Sequence, residues 1–288
     1  TVILPYLVRH GTEEQKKKYL PKLVSGELVS AIAMTEPGVG SDLQSVTTTA
    51  LKDGNGYRIN GAKTYISNGQ TADFIIVVAK TDPNERAKGI SLMLLETEGA
   101  EGFQRGKKLD KIGLDASDTS ELFFDDVFVP AENVLGGEEG KGFYQLMGEL
   151  PQERLIIAMG AMTGIEKALE TTLDFVKNRK AFGQTIWDFQ NTQFVMADLK
   201  ARATAAKIFV NDCIAKHLKR ELDVPTACMA KYWVTELQGE VVDKCLQFHG
   251  GAGFINDYPI ARMYRDSRIT RIFGGSNEVM KMVIARSM

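Results

Sequence analysis

The 288-residue sequence predicts an α+β protein of more than one domain. An antiparallel β-barrel or sandwich is expected in the middle, between a short helical fragment and a C-terminal antiparallel helical bundle. Three observations carry this expectation. Between residues 30 and 134, short β-branched or aromatic runs alternate with glycine-rich turns, and no helical period intervenes. After Gly136-Gly137 the apolar period switches to about 3.6 residues and holds to the end. The chain is also long for one domain, at roughly 150 residues per domain, and its 44% hydrophobic content supplies material for real cores.

In chain order, residues 12–30 open with Thr12-Glu13-Glu14-Gln15, a capping-box pattern with Thr12 at the N-cap and Gln15 at the third helical position. A lysine-rich turn with Tyr19, Leu20 and Leu23 continues as a short amphipathic helix, expected to be interrupted near Pro21 and to stop at Gly26. Strands are expected at residues 45–50, 57–60, 63–67, 73–79, 90–95 and 121–129. Asp53-Gly54-Asn55-Gly56, Asn60-Gly61 and Asn68-Gly69 are the turn signals between them. Helices are expected at residues 140–180, 188–218, 226–249 and 276–288, separated by glycine or proline breaks. The domains so defined are 1–30, 31–138 and 139–288.

Composition narrows the function. A formal net charge of −2 gives no basis for an electrostatic hold on nucleic acid or an anionic membrane surface. No apolar run reaches the length of about 18 residues that a bilayer span needs. Cys213, Cys228 and Cys245 lie in apolar, helix-like segments without CxxC spacing, which suits buried, reduced thiols in an intracellular protein. His10, His217 and His249 are scattered, so no metal site is expected. The chain opens on Thr1 rather than methionine, residues 1–10 read as the middle of a larger structure, and no targeting peptide is visible.

Three glycine-rich places could meet a phosphate. Thr35-Glu36-Pro37-Gly38-Val39-Gly40-Ser41-Asp42 lacks the third glycine and following helix of a dinucleotide fingerprint. Residues 137–141 contain Gly-Lys without the spacing or hydroxyl residue of a P-loop. His249-Gly250-Gly251-Ala252-Gly253 ends a helix, where glycine is common anyway. Taken singly, each is more often an ordinary turn than a phosphate cradle.

Their order along the chain is more specific. With Asn60-Gly61-Ala62-Lys63-Thr64-Tyr65-Ile66-Ser67-Asn68-Gly69, Ser117-Asp118-Thr119 before Phe123-Phe124-Asp125-Asp126-Val127, Arg179-Lys180-Ala181-Phe182-Gly183 followed by Gln190, Gln247-Phe248-His249-Gly250-Gly251 and Tyr264-Arg265-Asp266, the chain resembles the acyl-CoA dehydrogenase family over essentially its whole length. The resemblance implies a helical, β, helical domain order with most of the N-terminal helical domain absent here. It implies FAD as cofactor, an acyl-CoA thioester as substrate, electron-transferring flavoprotein as acceptor and a homo-oligomer, expected to be a tetramer. A bacterial protein of this kind is expected in the cytoplasm, a eukaryotic one in the mitochondrial matrix.

Carried over residue by residue, the resemblance places Thr35 against the isoalloxazine and the Gly40–Ser41 turn near the pyrophosphate. Tyr65, Ile66 and Ser67 stand where relatives often have Trp-Ile-Thr, which keeps a flat stacking face and a hydroxyl for flavin N5. Arg179, Gln190, Gln247, Gly250 and Gly251 resemble the flavin contacts that arrive from a neighbouring subunit, a guanidinium suiting a diphosphate. Ala181 replaces a threonine found in some relatives. Ser276, Asn277 and Glu278 begin the last helix, on the flavin's adenosine side, and Ser41, Arg154 and Gly275 match positions near the substrate.

The base is the discriminating position. Many relatives place a glutamate where this chain has Gly274, in Arg271-Ile272-Phe273-Gly274-Gly275-Ser276. The long-chain and isovaleryl members place it instead on the first long C-terminal helix, and this chain reads Leu150-Pro151-Gln152-Glu153-Arg154 there. Together with Ala227-Cys228-Met229-Ala230-Lys231-Tyr232-Trp233, this resembles the long-chain branch most. Glu153 is thus the expected base, and Gly274 is expected to retain a catalytic backbone N–H and to leave extra volume beside the acyl chain. Two other readings remain open on residues alone: an acyl-CoA oxidase, and a non-catalytic assembly protein on the same fold.

Overall fold

The computed structural model describes residues 2–288 as two compact units, Thr1–Lys111 with Asp115–Glu149, and Ile112–Leu114 with Leu150–Met288. The first unit opens with α1 (Ile3–His10) and α2 (Glu13–Ser25). The Thr12 hydroxyl accepts from the Gln15 N–H and the Gln15 side chain accepts from the Thr12 N–H, the reciprocal cap the sequence predicted. The expected interruption at Pro21 does not occur, and the helix runs on to a left-handed Gly26. Pro21 and Lys17, whose carbonyl loses its helical donor, are both exposed, so water can satisfy that oxygen.

One seven-stranded sheet follows: β1 (Ser30–Ala33), β2 (Thr49–Asp53), β3 (Gly56–Ser67), β4 (Phe74–Lys80), β5 (Ile90–Glu96), β6 (Phe103–Lys108) and β7 (Thr119–Pro130). β4 pairs β5 on one edge and β1 and β2 on the other, and the path continues β2-β3-β7-β6. The purely antiparallel expectation needs correction, because β1 and β2 both run parallel to β4. The described strands also form no pairing between β5 and β6, so the sheet curls without a closing ladder. The apolar runs of β4 and β5 are buried on both faces. Ile75, Val77, Met93 and Leu95 enter one core, while Phe74, Ile76, Leu92 and Leu94 enter another with Tyr6, Leu7 and Tyr19 of the two helices.

Asn60-Gly61 is not a turn. β3 passes straight through it with a bulge, Gly61 holding φ +150° against Thr48, and the Asn60 side chain accepting from the Asp126 N–H. β1 and β6 are strands the hydrophobic pattern did not reveal. β6 is largely exposed and charged, and β1 has only four residues.

The second unit is helical: most of α3 (Gly142–Asn178), α4 (Gln190–Leu218), α5 (Val224–His249), α6 (Pro259–Ser267) and α7 (Asn277–Ala285), with a small hairpin of β8 (Lys180–Ala181) and β9 (Gln184–Thr185). Its core joins Ala158, Met162 and Ile165 of α3, Leu199 and Val210 of α4, Val234, Leu237 and Val241 of α5, and Ile260 of α6. The sequence predicted four of these helices and missed the nine-residue α6. Cys213, Cys228 and Cys245 are buried thiols.

Candidate active site

Within the first unit, β1 leads into a tight turn in which Glu36 and Val39 exchange backbone hydrogen bonds of 2.9 and 3.1 Å. Glu36 is buried and accepts from the Thr47 N–H and hydroxyl at 2.7 Å each, from the Thr48 N–H at 2.9 Å and from Lys63 Nζ at 2.9 Å. Lys63, on β3 and wholly buried, also donates to the Met34 carbonyl at 3.0 Å. Burial alone would push the Glu36 carboxyl up, but the Lys63 charge and the threonine donors outweigh it and hold it down at about 2. Burial lowers Lys63 to about 8, with Glu36 opposing, so the pair is ionic at neutral pH.

This pair fastens the 35–42 turn to β3, as does the bond from the Thr64 N–H to the Thr35 carbonyl at 2.9 Å. Immediately beyond, β3 is irregular between Lys63 and Ile66, and Tyr65 sits at φ +60° with 67% of its surface exposed. A left-handed aromatic held open to solvent is strained, and such strain collects at functional positions. Ser67 is exposed beside it, while the Ile66 side chain is buried in the core, so Ile66 can offer a ligand only its backbone. Thr35 is half-buried, and Gly40 and Ser41 are exposed. A Cβ on Gly40 would meet nothing closer than Thr35 Cγ2 at 3.9 Å, so internal packing does not require that glycine. An open glycine suits close approach of a ligand to backbone.

Within the second unit, a depression of about 530 Å³ is lined by Phe175, Arg179, Gln247, His249, Gly250 and Gly251, among others. Four residues singled out from sequence therefore converge, although 68 to 72 positions separate Arg179 from the rest. His249 stacks on Phe175 at 4.2 Å and hydrogen-bonds the Cys245 carbonyl through Nδ1 at 2.9 Å. Burial lowers its pKa, so the imidazole is neutral and Nδ1 carries the proton. A Cβ on Gly250 or Gly251 would meet no atom within 4 Å, again leaving room that the fold does not use. Gln190 lies exposed at the start of α4 and is not among the lining residues. The donor set of a guanidinium, an amide and open glycine backbone fits a diphosphate-bearing cofactor.

The third cluster surrounds Gly274. Glu153, half-buried on α3, lies one turn from Ile157 on the same face of the helix. Ile157 Cδ1 stands 2.5 Å from where a Cβ on Gly274 would be, and Gly274 holds φ +64°. The end of the Ile157 side chain thus occupies the space a Cβ at 274 would take. The same contact brings the Glu153 face of α3 to the Gly274 turn. Arg154, singled out as a substrate contact, is 6% exposed; its guanidinium makes a long contact of 3.5 Å to the Gly274 carbonyl and lies 3.3 Å from Cys228 Sγ. Gly275 holds φ +89°, and a Cβ there would press on Met280 at 2.8 Å. Ser276 caps α7 by accepting from the Val279 N–H, and Glu278 is exposed in its first turn.

Sequence reasoning missed the roles of Ile157, of the Glu36–Lys63 pair and of Lys231, which is wholly buried and donates to the Gly275 carbonyl and to Asn277, each at 2.8 Å. A signal for Lys231 existed. Steps of three and four residues from Ala227 through Val234, Gln238, Val241 and Cys245 place it on the buried face of α5.

These residues and this fold define a class. The chain matches the acyl-CoA dehydrogenase N-terminal domain over residues 1–27, the middle domain over 31–127 and the C-terminal domain over 140–288. It belongs to the acyl-CoA dehydrogenase family. Among relatives, it is 50% identical to the mitochondrial long-chain specific acyl-CoA dehydrogenase of Sus scrofa, covering 100% of this chain and 67% of that one. It is 40% identical to the mitochondrial isovaleryl-CoA dehydrogenase of Oryza sativa subsp. japonica, covering 98% and 68%. Among solved structures, an acyl-CoA dehydrogenase from Geobacillus kaustophilus is 49% identical with a TM-score of 0.96, covering 98% of this chain and 74% of that chain.

Proposed function

We propose that the chain is an FAD-dependent acyl-CoA dehydrogenase that desaturates an acyl-CoA thioester between its α and β carbons, with Glu153 as the base. The observation that carries the base assignment is the contact of Ile157 with Gly274: a side chain at 274 would have to adopt φ +64° and displace the Ile157 methyl end, and the helix face that carries Ile157 also carries Glu153.

The α-proton of a thioester is weakly acidic, so negative charge developing on its carbonyl oxygen must meet fixed donors. The Gly274 N–H is one such donor, held in place by a turn whose two positive-φ glycines leave the backbone bare. Glu153 takes the α-proton, and a water-poor surrounding on binding raises its basicity toward the range useful at neutral pH. Thr35, Gly40, Ser41, Tyr65, the Ile66 backbone and Ser67 would hold the isoalloxazine and pyrophosphate, Tyr65 presenting a stacking face and Ser67 a hydroxyl. Arg179, Gln190, Gln247, Gly250 and Gly251 would hold the cofactor of a neighbouring subunit, and Ser276 and Glu278 its adenosine side. When bound, the flavin supplies the two-electron acceptor for the β-hydride. Ser41 and Gly275 would contact the substrate, with Arg154 acting from beneath through Gly274.

The resemblance further supports electron-transferring flavoprotein as the oxidant of the reduced enzyme, a homotetramer built through residues 139–288, and residues 31–138 as the flavin and substrate domain. The relatives named above are mitochondrial, and no described helix is long and apolar enough to cross a membrane. A mitochondrial matrix or bacterial cytoplasmic location fits both facts.

Glu153→Gln tests the assignment. The variant should bind acyl-CoA with little change, yet reduce its flavin slower by about 10²–10⁴-fold, the usual worth of a general base. Near-normal flavin reduction would sink the assignment.

A further inference from the structure

Two buried cations lie under the Gly274–Gly275 turn, and the proposed chemistry as stated uses neither charge. Arg154 reaches the Gly274 carbonyl, and Lys231 donates to the Gly275 carbonyl at 2.8 Å. Lys231 is 0% exposed, and its other partner is Asn277 Oδ1 at 2.8 Å. Asn277, itself buried, is fixed by donating to Thr235 Oγ1 at 3.0 Å and Glu236 Oε1 at 2.7 Å. Among the described residues, neither Arg154 nor Lys231 is ion-paired with a carboxylate.

Geometry links these cations to the reacting carbonyl. A trans peptide plane points its N–H opposite its C=O. With the Gly274 and Gly275 carbonyls turned toward the cations, the Gly275 and Ser276 N–H groups face away from them. Among the described residues the amide N–H groups of Gly274, Gly275 and Ser276 have no backbone acceptor. The turn is thus a row of free donors backed by positive charge.

We propose that Lys231 is a positioning residue for the desaturation: it fixes the Gly275 carbonyl, and so steadies the turn that presents the Gly274 N–H to the thioester, and with Arg154 it supplies positive charge beneath that turn which, opposed by Glu236 and Glu278, stabilises the enolate. The inference rests on the desaturase reading. In the step concerned, the α C–H bond breaks, its electron pair forms the C=C bond of the enolate, the charge moves to the thioester oxygen and the proton goes to the base. Burial, and next the Arg154 charge, lower Lys231 to about 8, which still leaves it protonated at neutral pH. Glu236 and Glu278 oppose that lowering, and a buried lysine kept charged beside a buried arginine is further favoured when negative charge develops nearby.

The test uses the flavin-loaded enzyme and 3-ketodecanoyl-CoA, whose α C–H is acidic enough to give an enolate visible by ultraviolet absorbance without turnover. The pH at which the bound probe ionises is compared in wild type, K231Q, K231R and E236Q. Gln keeps a donor and removes the charge; Arg keeps the charge. K231Q should weaken the acidity of the bound probe about tenfold or more, and K231R by much less. Two acids act on Lys231, Glu236 more strongly than Glu278, and Glu236 is 40% exposed in its side chain, so E236Q should fold and strengthen the acidity a few-fold. Equal acidity in K231Q and K231R, or an E236Q unchanged from wild type, would overturn the inference, whatever the melting temperatures show. The glutamine of E236Q keeps an oxygen that can accept from Asn277, so the variant removes the charge without removing that hydrogen bond, and it decides the matter even if the lysine variants do not fold. A wild-type enzyme that binds the probe without ionising it would overturn the desaturase reading, and this inference with it.

Discussion

A Cβ on Gly274 would stand 2.5 Å from Ile157 Cδ1, on a residue already at φ +64°. Gly274→Ala should therefore cost about 1–2 kcal/mol for the left-handed backbone, with a smaller addition for displacing the Ile157 methyl. Thermal unfolding of G274A and of G274A/I157A separates the two, since shortening Ile157 should relieve only the second. A glutamate at 274 must both adopt that backbone and displace the Ile157 methyl, so G274E/I157A should rescue Glu153→Gln better than G274E does, measured as flavin reduction; equal rescue would contradict it. In the sequence the absence of a carboxylate at 274 directs attention to Glu153, which is why the two are proposed as a complementary pair. Ile157 was not, because an isoleucine on an amphipathic helix carries no mark of what it faces. Tyr65 was legible as an aromatic, but its left-handed backbone depends on an irregularity in β3 that only the pairing with β7 creates.

The turn at 35–42 is held to β3 by the buried Glu36–Lys63 pair, and its two motifs were visible in the sequence while their joining was not. Glu36 and Lys63 lie 27 positions apart on separate elements, and no local pattern links them. Removing one partner strands the other as an uncompensated buried charge. Glu36→Gln should thus cost about 3–5 kcal/mol, and E36Q/K63M less than the sum of the singles. Urea unfolding of the four proteins measures this, and additive costs would argue against the pair. Elements with strong periodicity, such as β4, β5, α3, α4 and α5, were recovered within a few residues. Those decided by tertiary pairing were missed or misread: the short β1, the polar β6, the nine-residue α6, and a β3 that runs through Asn60-Gly61. A bulge and a turn call for the same residues, so composition alone could not separate them.

For the chain as a whole, stability should carry the signature of Glu36. Its folded pKa of about 2 lies below the ordinary 4.5, so its contribution is fully present above about 4.5 and is lost as pH falls toward 2. Unfolding free energy measured from pH 6 to pH 3 should fall more steeply in wild type than in E36Q, and parallel profiles would contradict the origin assigned to it. Domain order and family were legible because six motifs recur in sequence with the right texture between them. The most direct test of the central claim is the visible spectrum of the anaerobic, flavin-loaded protein before and after acyl-CoAs of graded chain length. The oxidised flavin bands should bleach in wild type, with trans-2-enoyl-CoA formed in equal amount, and persist in Glu153→Gln. A yellow wild-type protein that binds acyl-CoA of every length without bleaching would contradict it.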